Sequence, residues 1–465
     1  MGGCGEVLRF ELPLTAVVNG LTGPATGIHR LVGRPPTEST ATVIDTADRR
    51  LLAWGLELSR VAETGRWTLR APDWEPVLPR ERTMPQAEED VPPELAVLLV
   101  PFRRGGILRP ALEVASVRRR FSLIDGDGGT RGELIDERVR IEQRPGQLQA
   151  FRTVTLTMTG PVDETSRDAV LAAFDAAGAT ALGRLAGLAD RLTPVHSLPA
   201  DDAATPRMPI EAFVGRELQA RWRGLLRADL TARITGGTDA GLRDGVRAFR
   251  RELAALGPLF AGDWLAAAER QLDVALVDPR PLHHTERWLR VLDLLAEAVT
   301  EPPLPLVTGR LTGPVLAQEL EAVVRTMRDQ CRTLDRYSDD ARWARAAKVA
   351  GRALELAILS RRVFGKPARR LAHRLSAIVS PLEATVRPDP GALARDLHGL
   401  TAAEIFEAGR AYERTMLAVD YAREQFVREW PGLWHKLRIR VIRPRAPRRR
   451  PVSGVEAAQP GPEGR

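Results

Sequence analysis

The sequence predicts an α+β protein with an N-terminal antiparallel β-barrel domain and a C-terminal all-α helical bundle. Two observations predict this. Short runs that alternate apolar and polar residues fill the first part of the 465-residue chain, and helical periodicity follows from residue 210 to about 437. A period of two indicates strands, and a period of three to four indicates helices. The Pro-, Ala- and Asp-rich stretch between the two patterns is typical of a linker. We therefore expect domains at 1–195 and 210–440, with a linker at 196–209.

The strand prediction depends on six alternating runs bounded by Gly, Pro or Asp. These runs are Ala41–Ile44, Leu56–Val61, Trp67–Arg70, Val117–Ile124, Val139–Glu142 and Phe151–Met158. The stretch IDGDGGT at 124–130 predicts a hairpin turn rather than a calcium loop, because a calcium hand needs flanking helices. Residues 166–192 are predicted to be helical.

The helical half is divided by clusters of Pro and Gly at 257–258, 302–305, 365–367 and 387–391. Between the clusters apolar residues share one side of a helix, as Leu218, Trp222, Leu225 and Leu226 do. Residues 441–465 are rich in Arg and Pro, then in Gly and Pro, and have almost no apolar side chains to bury. We expect this tail to be disordered.

Composition excludes several classes of protein. The only cysteines are Cys4 and Cys331, so we expect neither a disulfide framework nor a zinc site built on cysteine. No apolar run reaches the roughly 18 residues that a membrane span needs. The N-terminal sequence lacks the basic and apolar regions of a signal peptide. We expect a cytoplasmic protein with no membrane partner.

Positive charge is concentrated in the second half of the chain. Residues 1–310 hold 39 basic and 42 acidic residues, whereas residues 311–450 hold 28 basic and 16 acidic residues. This asymmetry indicates an anionic partner such as nucleic acid, polyphosphate or a membrane surface. All but three of the 68 basic residues are Arg, which suits bidentate contacts with phosphate, although a GC-rich genome also favours Arg.

A series of N-terminal segments resembles the CYTH family, the triphosphate tunnel fold, over about residues 1–195. The segments are Asp45-Thr46 followed by ADRRLLAWGLELSR, then GRWTLRAP (65–72), VRRRFSL (117–123) and GELIDERV (132–139). The resemblance implies an antiparallel barrel lined with charged side chains. It also implies that Arg and Lys bind a phosphate chain, while carboxylates hold a divalent metal that assists hydrolysis.

Arginines on these strands are the predicted phosphate-binding residues of the barrel. Alternate side chains of a strand share a face, so Arg118 and Arg120 lie together, as do Thr68 and Arg70. Guanidinium groups in a bore of low dielectric would bind phosphate oxygens strongly. The alternative is that these residues face solvent on open strands. The predicted residues are Arg9, Arg60, Arg70, Arg80, Arg82, Arg118 and Arg120.

The metal-binding carboxylates that the resemblance implies are largely replaced. The ExExK motif usual on the family's first strand aligns with Gly5, Val7 and Arg9. Alternating Glu on the family's last strand is replaced by Thr153, Thr155 and Thr157. Carboxylates remain at Glu133, Asp136 and Glu137. Since Mg²⁺ prefers carboxylate oxygens, we expect no effective metal site, no cofactor, no catalytic residues and no efficient hydrolysis.

The C-terminal half resembles the CHAD family over about residues 210–438, and in many bacteria CHAD follows CYTH in one chain. The resemblance is carried by VRAFRRELAAL (246–256), WLAAAERQLDVAL (264–276), WARAAKVAGRALELA (343–357) and REQFVREWPGLWHKLR (423–438). It implies binding of inorganic polyphosphate by a helical domain. The His that the family carries before each basic helix is missing; Leu242-Arg243 and Ala341-Arg342 stand there instead.

Positive stripes on these helices are the predicted polyphosphate-binding residues. Side chains three, four or seven positions apart share a helix face. The alternative is a solvated basic face partnered by Asp and Glu. The predicted residues are Arg243, Arg247, Arg250, Arg345, Lys348, Arg352, Arg370 and Arg374.

The sequence thus predicts a protein that binds inorganic polyphosphate or a related phosphate chain through Arg-lined surfaces, without turnover. One alternative is a triphosphatase dependent on Mg²⁺ or Mn²⁺. Another is a basic scaffold that associates with nucleic acid or polyphosphate granules. Residues 436–450 hold eight basic residues and no acid, and such an arm binds polyanions nonspecifically or only solubilises the chain.

Overall fold

The computed structural model describes residues 6–85, 90–144, 147–160, 163–183, 187–192, 203–388 and 401–437. The predicted tail at 441–465 and residues 196–202, half of the predicted linker, lie outside them. The chain divides into two compact units. The first comprises Met1–Pro199, Glu217–Arg247 and Ala268–Glu301, and the second comprises Ala200–Arg216, Ala248–Ala267 and Pro302–Arg465. The domain limits given above stay predictions.

The N-terminal half forms one ten-stranded antiparallel sheet. Its order is β10-β1-β9-β8-β7-β3-β4-β5-β6, and β2 pairs with β7 beside β3. The strands are β1 Val7–Leu12, β2 Arg30–Gly33, β3 Thr37–Asp45, β4 Glu57–Val61, β5 Trp67–Arg70, β6 Glu81–Met84, β7 Arg109–Ile124, β8 Thr130–Arg144, β9 Gln147–Met158 and β10 Thr180–Leu182.

This sheet and the helices of the C-terminal half confirm the α+β prediction. Strands β10 and β6 stand at the two ends of the order, and no pairing joins them in the described residues. The predicted turn at 124–130 connects β7 to β8, where the backbone amide of Gly129 donates to the carboxylate of Asp125 at 2.7 Å.

Short helices accompany the sheet: α1 Arg50–Ala53, α2 Pro93–Arg103, α3 Glu164–Ala176 and α4 Leu188–Arg191. The predicted helix at 166–192 is therefore interrupted. Gly178 adopts φ +73, the left-handed region that favours glycine, and β10 follows it. Helix α3 ends there because the chain turns back to pair β10 with β1.

Each face of the sheet contributes to a separate hydrophobic core. Phe10, Leu134 and Leu156 lie on one face and pack with Phe174 of α3, whose ring stacks on that of Phe10 at 3.9 Å. On the opposite face a cluster of buried apolar residues lies toward one end of the strands. They are Val43, Leu112, Val139 and Ile141, which pack with Leu188 and Leu192 beside α4.

The helical half consists mainly of long helices. Their bounds are α5 Ile210–Thr235, α6 Ala240–Leu256, α7 Gly262–Leu276, α8 Glu286–Thr300, α9 Thr312–Cys331, α10 Asp340–Leu359, α11 Arg361–Phe364, α12 Lys366–Glu383 and α13 Ala402–Lys436. Among the residues described, none of the helices is long and apolar enough to cross a membrane.

An aromatic cluster in the first unit joins the sheet region to α5. The ring of Trp222 lies edge-on to that of Trp54 at 4.7 Å, and the Trp74 indole donates to the carbonyl of Trp54 at 2.8 Å. Arg104 lies over Trp222 and forms an ion pair with Asp293 of α8 at 2.6 Å. These buried contacts connect residues on both sides of the predicted linker.

Helices α10 and α12 pack together in the second unit, and α10 also packs on α9. Alanines dominate the buried side of α10, with Ala346, Ala350 and Ala353 fully buried. Small side chains let the helix axes approach closely. Leu375 and Ile378 are fully buried side chains of α12. The polar sides of both helices are left to solvent.

Candidate anion-binding surfaces

One face of the sheet carries a band of charged side chains. Directly paired residues of an antiparallel ladder lie on the same face. Arg118 of β7 pairs with Glu137 of β8, and Arg70 of β5 pairs with both Glu57 of β4 and Glu81 of β6. The pairing through β3 places these five residues on one face, which we call the charged face.

Strands β1, β8 and β9 extend the charged face. The same register adds Arg9, Glu11, Arg120, Glu133, Thr153, Thr155 and Thr157. Strand β9 thus presents three hydroxyls beside Glu133 and Glu137, as alternation along the strand predicts. Asp136 lies on the other face, where it pairs with Arg152.

Five glutamates of the charged face are each paired with an arginine. The shortest nitrogen–oxygen distances are Arg191–Glu11 2.7 Å, Arg118–Glu137 2.8 Å, Arg70–Glu81 3.1 Å, Arg120–Glu133 3.5 Å and Arg70–Glu57 3.7 Å. Arg9 instead donates to the carbonyl of Gly183 at 3.5 Å. The charged face is therefore a set of mixed ion pairs rather than a uniformly positive lining.

Glu57 is the least exposed of these five glutamates, with a side chain that is 18% exposed. Burial raises the pKa of Glu57 against the attraction of Arg70, and the charges of Glu81 and Glu137 raise it further. Burial alone would lower the pKa of Arg70, but Glu57 and Glu81 outweigh it, so this pKa is raised. Arg70 is therefore held in its charged form.

Three of the predicted barrel arginines do not share the face of Arg70. Arg60 pairs with Trp67. Arg60 is three positions from Glu57 along β4, an odd number, so its side chain lies on the other face of the sheet. Arg82 pairs with Leu69, the residue next to Arg70, so it also lies on the face opposite to that of Arg70. Arg80 lies just before β6, where its carbonyl accepts from the amide of Ala71, so it also alternates away from Arg70.

Three carboxylates of the charged face were not predicted from the sequence: Glu11, Glu57 and Glu81. Glu11 stands two residues after Arg9, so alternation along β1 was a sufficient signal for it. The face on which Glu57 and Glu81 lie is set only by the pairing of β4 and β6 with β5, which the sequence does not reveal. In the residues that the structure describes, no group of three or more His, Cys, Asp or Glu is arranged to hold a metal ion.

On the helices, the predicted binding residue Arg243 has a structural role. Its guanidinium group pairs with Asp239 at 3.0 Å. It also donates to the carbonyls of Leu276, Asp278 and Arg280, at 2.8–2.9 Å, where α7 ends. Cationic side chains commonly satisfy the free carbonyls of a helix C-terminus in this way.

Three more predicted helical residues are engaged within the protein. Arg247 is exposed but forms an ion pair with Asp244 at 2.7 Å, and Arg250 also has a partner. Arg352 is half-buried, lies 3.5 Å from Glu319 and donates to the carbonyl of Ala255 at 3.4 Å. Burial lowers the pKa of Arg352, and Glu319 opposes that shift.

The four remaining predicted residues are exposed cations of α10 and α12. Arg345 and Lys348 lie on α10, and Arg370 and Arg374 lie on α12. Within the described part of the chain, their side chains have neither an ion pair nor a hydrogen bond. Their positive charge is therefore available to a ligand.

These four belong to a larger basic region. Residues 341–382 contain ten basic residues and a single acid, Glu355, which pairs with Arg251 of α6 at 3.3 Å. Nine of the ten are exposed, and together we call them the basic surface. They are Arg342, Arg345, Lys348, Arg361, Arg362, Lys366, Arg369, Arg370 and Arg374.

Helix α11 and the first turn of α12 contain basic residues that were not predicted to bind phosphate. Arg361, Arg362, Lys366 and Arg369 line a cavity of about 590 Å³ together with Ile358 and Gly365, and we call it the corner cavity. The signal was present, because FGKPARR places Gly and Pro at a helix boundary among cations. The stripe spacing used to select residues applies only within one helix.

Comparison with protein-family models gave no match, and no curated protein matched the chain. The resemblances to the CYTH and CHAD families stay predictions.

Proposed function

We propose that this protein binds inorganic polyphosphate, or a similar linear phosphate chain, on the basic surface of α10–α12 without turning it over. The observation that carries the proposal is the ratio of ten basic residues to one acid in residues 341–382, with that acid already paired. A solvated structural face mixes both signs of charge. An excess of this size on packed helices favours a polyanionic partner.

The basic surface suits a linear anion. Lys366, Arg370 and Arg374 follow one another at four-residue spacing, so they form a row about 12 Å long on α12. Arg345 and Lys348 extend the basic surface onto the neighbouring helix. Binding there costs no ion pair, since these side chains have no protein partner in the described residues. Each charge-assisted hydrogen bond to a phosphate oxygen then adds to affinity.

The lack of exposed aromatic rings favours a phosphate chain over single-stranded nucleic acid. Proteins that bind single strands stack bases on exposed aromatic rings. The aromatic residues of 341–382 are Trp343, which is fully buried, and Phe364, which is half-buried. The basic surface therefore offers charge without a platform for bases.

The absence of turnover follows from the chemistry of the basic surface. Phosphate hydrolysis needs a general base or a metal held by carboxylates. Glu355, the one carboxylate in residues 341–382, is committed to Arg251. The basic surface has groups that bind phosphate but, in residues 341–382, no unpaired carboxylate to hold a metal, so activation of water would depend on the exposed His373 of α12 alone.

The charged face of the sheet makes a weaker case for phosphate binding. A flat sheet would separate β4 from β8 by about 14 Å, yet Glu137 of β8 contributes to the pKa values of Glu57 and Arg70. This supports a concave face and, as part of our proposal, a tunnel-like barrel. Its arginines would have to leave their glutamates to bind phosphate. The triphosphatase alternative would use this face with Mg²⁺ or Mn²⁺.

Competition binding with the full-length chain tests the proposal. We expect labelled polyphosphate to bind with higher affinity than single-stranded DNA of equal total charge at every salt concentration. Equal affinity would favour the scaffold alternative and contradict the preference for phosphate chains. Release of orthophosphate from triphosphate with Mg²⁺ or Mn²⁺ would favour the enzyme alternative.

A further inference from the structure

The corner cavity differs from the rest of the basic surface in its geometry. Arg361, Arg362, Lys366 and Arg369 surround one concave site, whereas the other cations follow rows along α10 and α12. A cavity of about 590 Å³ is within the range of small-ligand sites. Among the described residues that line it there is no acid. Arg361, Lys366 and Arg369 repel one another in the absence of an anion.

The local sequence places these cations together against ordinary helix preferences. Helix α12 has no acidic residue in its first turn, and its N-cap Gly365, at φ +62, provides no capping side chain. Helices favour acids in this turn, because the N-terminus carries partial positive charge. Lys366 and Arg369 occupy the turn instead. The arrangement is unfavourable for the helix alone and becomes favourable once an anion is bound.

The charge of the cavity selects between kinds of phosphate. An internal phosphate of a chain carries one negative charge, whereas a terminal phosphate group carries about 1.5 to 2 at neutral pH. Several cations converging on one site favour the group with the higher charge. Arg361, Lys366 and Arg369 have no ion pair within the described part of the chain, so these three are free to bind it.

We infer that the corner cavity is a subsite for a terminal phosphate group. The group is the end of a bound phosphate chain or a free short phosphate such as pyrophosphate. The inference rests on the proposed function, and it adds that the basic surface binds chains from one defined end. Rows of cations on α10 and α12 then bind the internal phosphates.

Pyrophosphate titration of the full-length chain tests the inference directly. We expect the double variant Lys366→Ala with Arg369→Ala, which we call the corner variant, to weaken pyrophosphate binding by about tenfold or more, because two charge-assisted contacts are lost. The matched control, Arg325→Ala with Arg410→Ala, removes two exposed arginines that are paired with Glu321 and Glu407. We expect pyrophosphate affinity to be retained in this control. Unchanged affinity in the corner variant would overturn the inference.

Long chains with blocked ends distinguish the two sources of the terminal group. We expect blocking both ends with amide groups to weaken binding to the unmodified protein but not to the corner variant. An end-blocked chain that binds as well as an open one would assign the cavity to free pyrophosphate. If pyrophosphate binds the corner variant as tightly as it binds the unmodified protein, while long chains still require Arg345 and Lys348, the inference fails and the proposed function stands.

Discussion

Asp136 of β8 and Arg152 of β9 form a buried bidentate ion pair, with nitrogen–oxygen distances of 2.8 and 2.9 Å. Both side chains are 9% exposed, and Arg152 also donates to the carbonyl of Ala16 at 2.6 Å. The pair lies on the face that packs against α3, opposite to Glu133 and Glu137. Asp136 is therefore a structural carboxylate and does not belong to the charged face.

Removing one partner of this pair should destabilise the fold. We expect Asp136→Ala to lower the free energy of unfolding by about 3–5 kcal/mol, because it leaves the Arg152 charge buried and uncompensated. Urea denaturation measures this. The double variant Asp136→Leu with Arg152→Met should be closer to the unmodified protein than the single variant is. A single variant within 1 kcal/mol (roughly the cost of an exposed pair) would contradict buried pairing.

Glu57 should make stability depend on pH. Its pKa is raised by burial, so the folded protein binds this proton more tightly than the unfolded chain does. The stabilisation is present below the ordinary value of 4.5 and is lost as pH rises through the folded pKa. We expect Glu57→Gln, which is always neutral, to gain stability relative to the unmodified protein as pH rises above 4.5.

Urea denaturation between acid and neutral pH measures this gain. Glu413→Gln, on the exposed side of α13, is the control for the substitution itself. A Glu57→Gln difference that stays constant with pH would show that this carboxyl titrates alike in the folded and unfolded states.

Glu137 should compete with phosphate for Arg118. The two side chains are 2.8 Å apart and only partly exposed. We expect Glu137→Gln to raise the affinity of the charged face for triphosphate by about threefold, since an exposed ion pair contributes about 0.2–1 kcal/mol. Calorimetric titration measures it. Arg118→Ala should reverse the gain in the same background. Affinity that does not respond to either change would remove phosphate from the charged face.

The sequence predicted strands and faces where one local pattern determined both. Alternation along β9 places Thr153, Thr155 and Thr157 together, and the structure has them on one face. The relative faces of Arg60 and Arg70 could not be predicted, because they lie on different strands. A shift of one residue in pairing exchanges the two faces of a strand. The structure fixes that register by pairing Arg70 with Glu57.

The helical candidates show a similar limit. Spacing groups Arg345 with Lys348 along α10, but spacing does not reveal a partner on another element. Arg243 is bound to carbonyls beyond the end of α7, and Arg352 lies beside Glu319 of α9. The corner cavity combines residues from both sides of a turn. Tertiary packing, rather than periodicity, therefore decides which cations are available to a ligand.

The most direct test of the central claim compares two variants that lose the same charge. The basic-surface variant carries Arg345→Ala, Lys348→Ala, Arg370→Ala and Arg374→Ala. The control carries Arg290→Ala, Arg325→Ala, Arg328→Ala and Arg410→Ala, and it removes exposed or partly exposed arginines that each have an acidic partner.

Polyphosphate affinity is measured for both variants over a range of salt concentrations. We expect the basic-surface variant to lose about a hundredfold in affinity and about 3 units of slope in log K against log salt, while the control loses far less. Equal losses in the two variants would show that net charge alone drives binding, and would contradict a phosphate-binding surface on α10–α12.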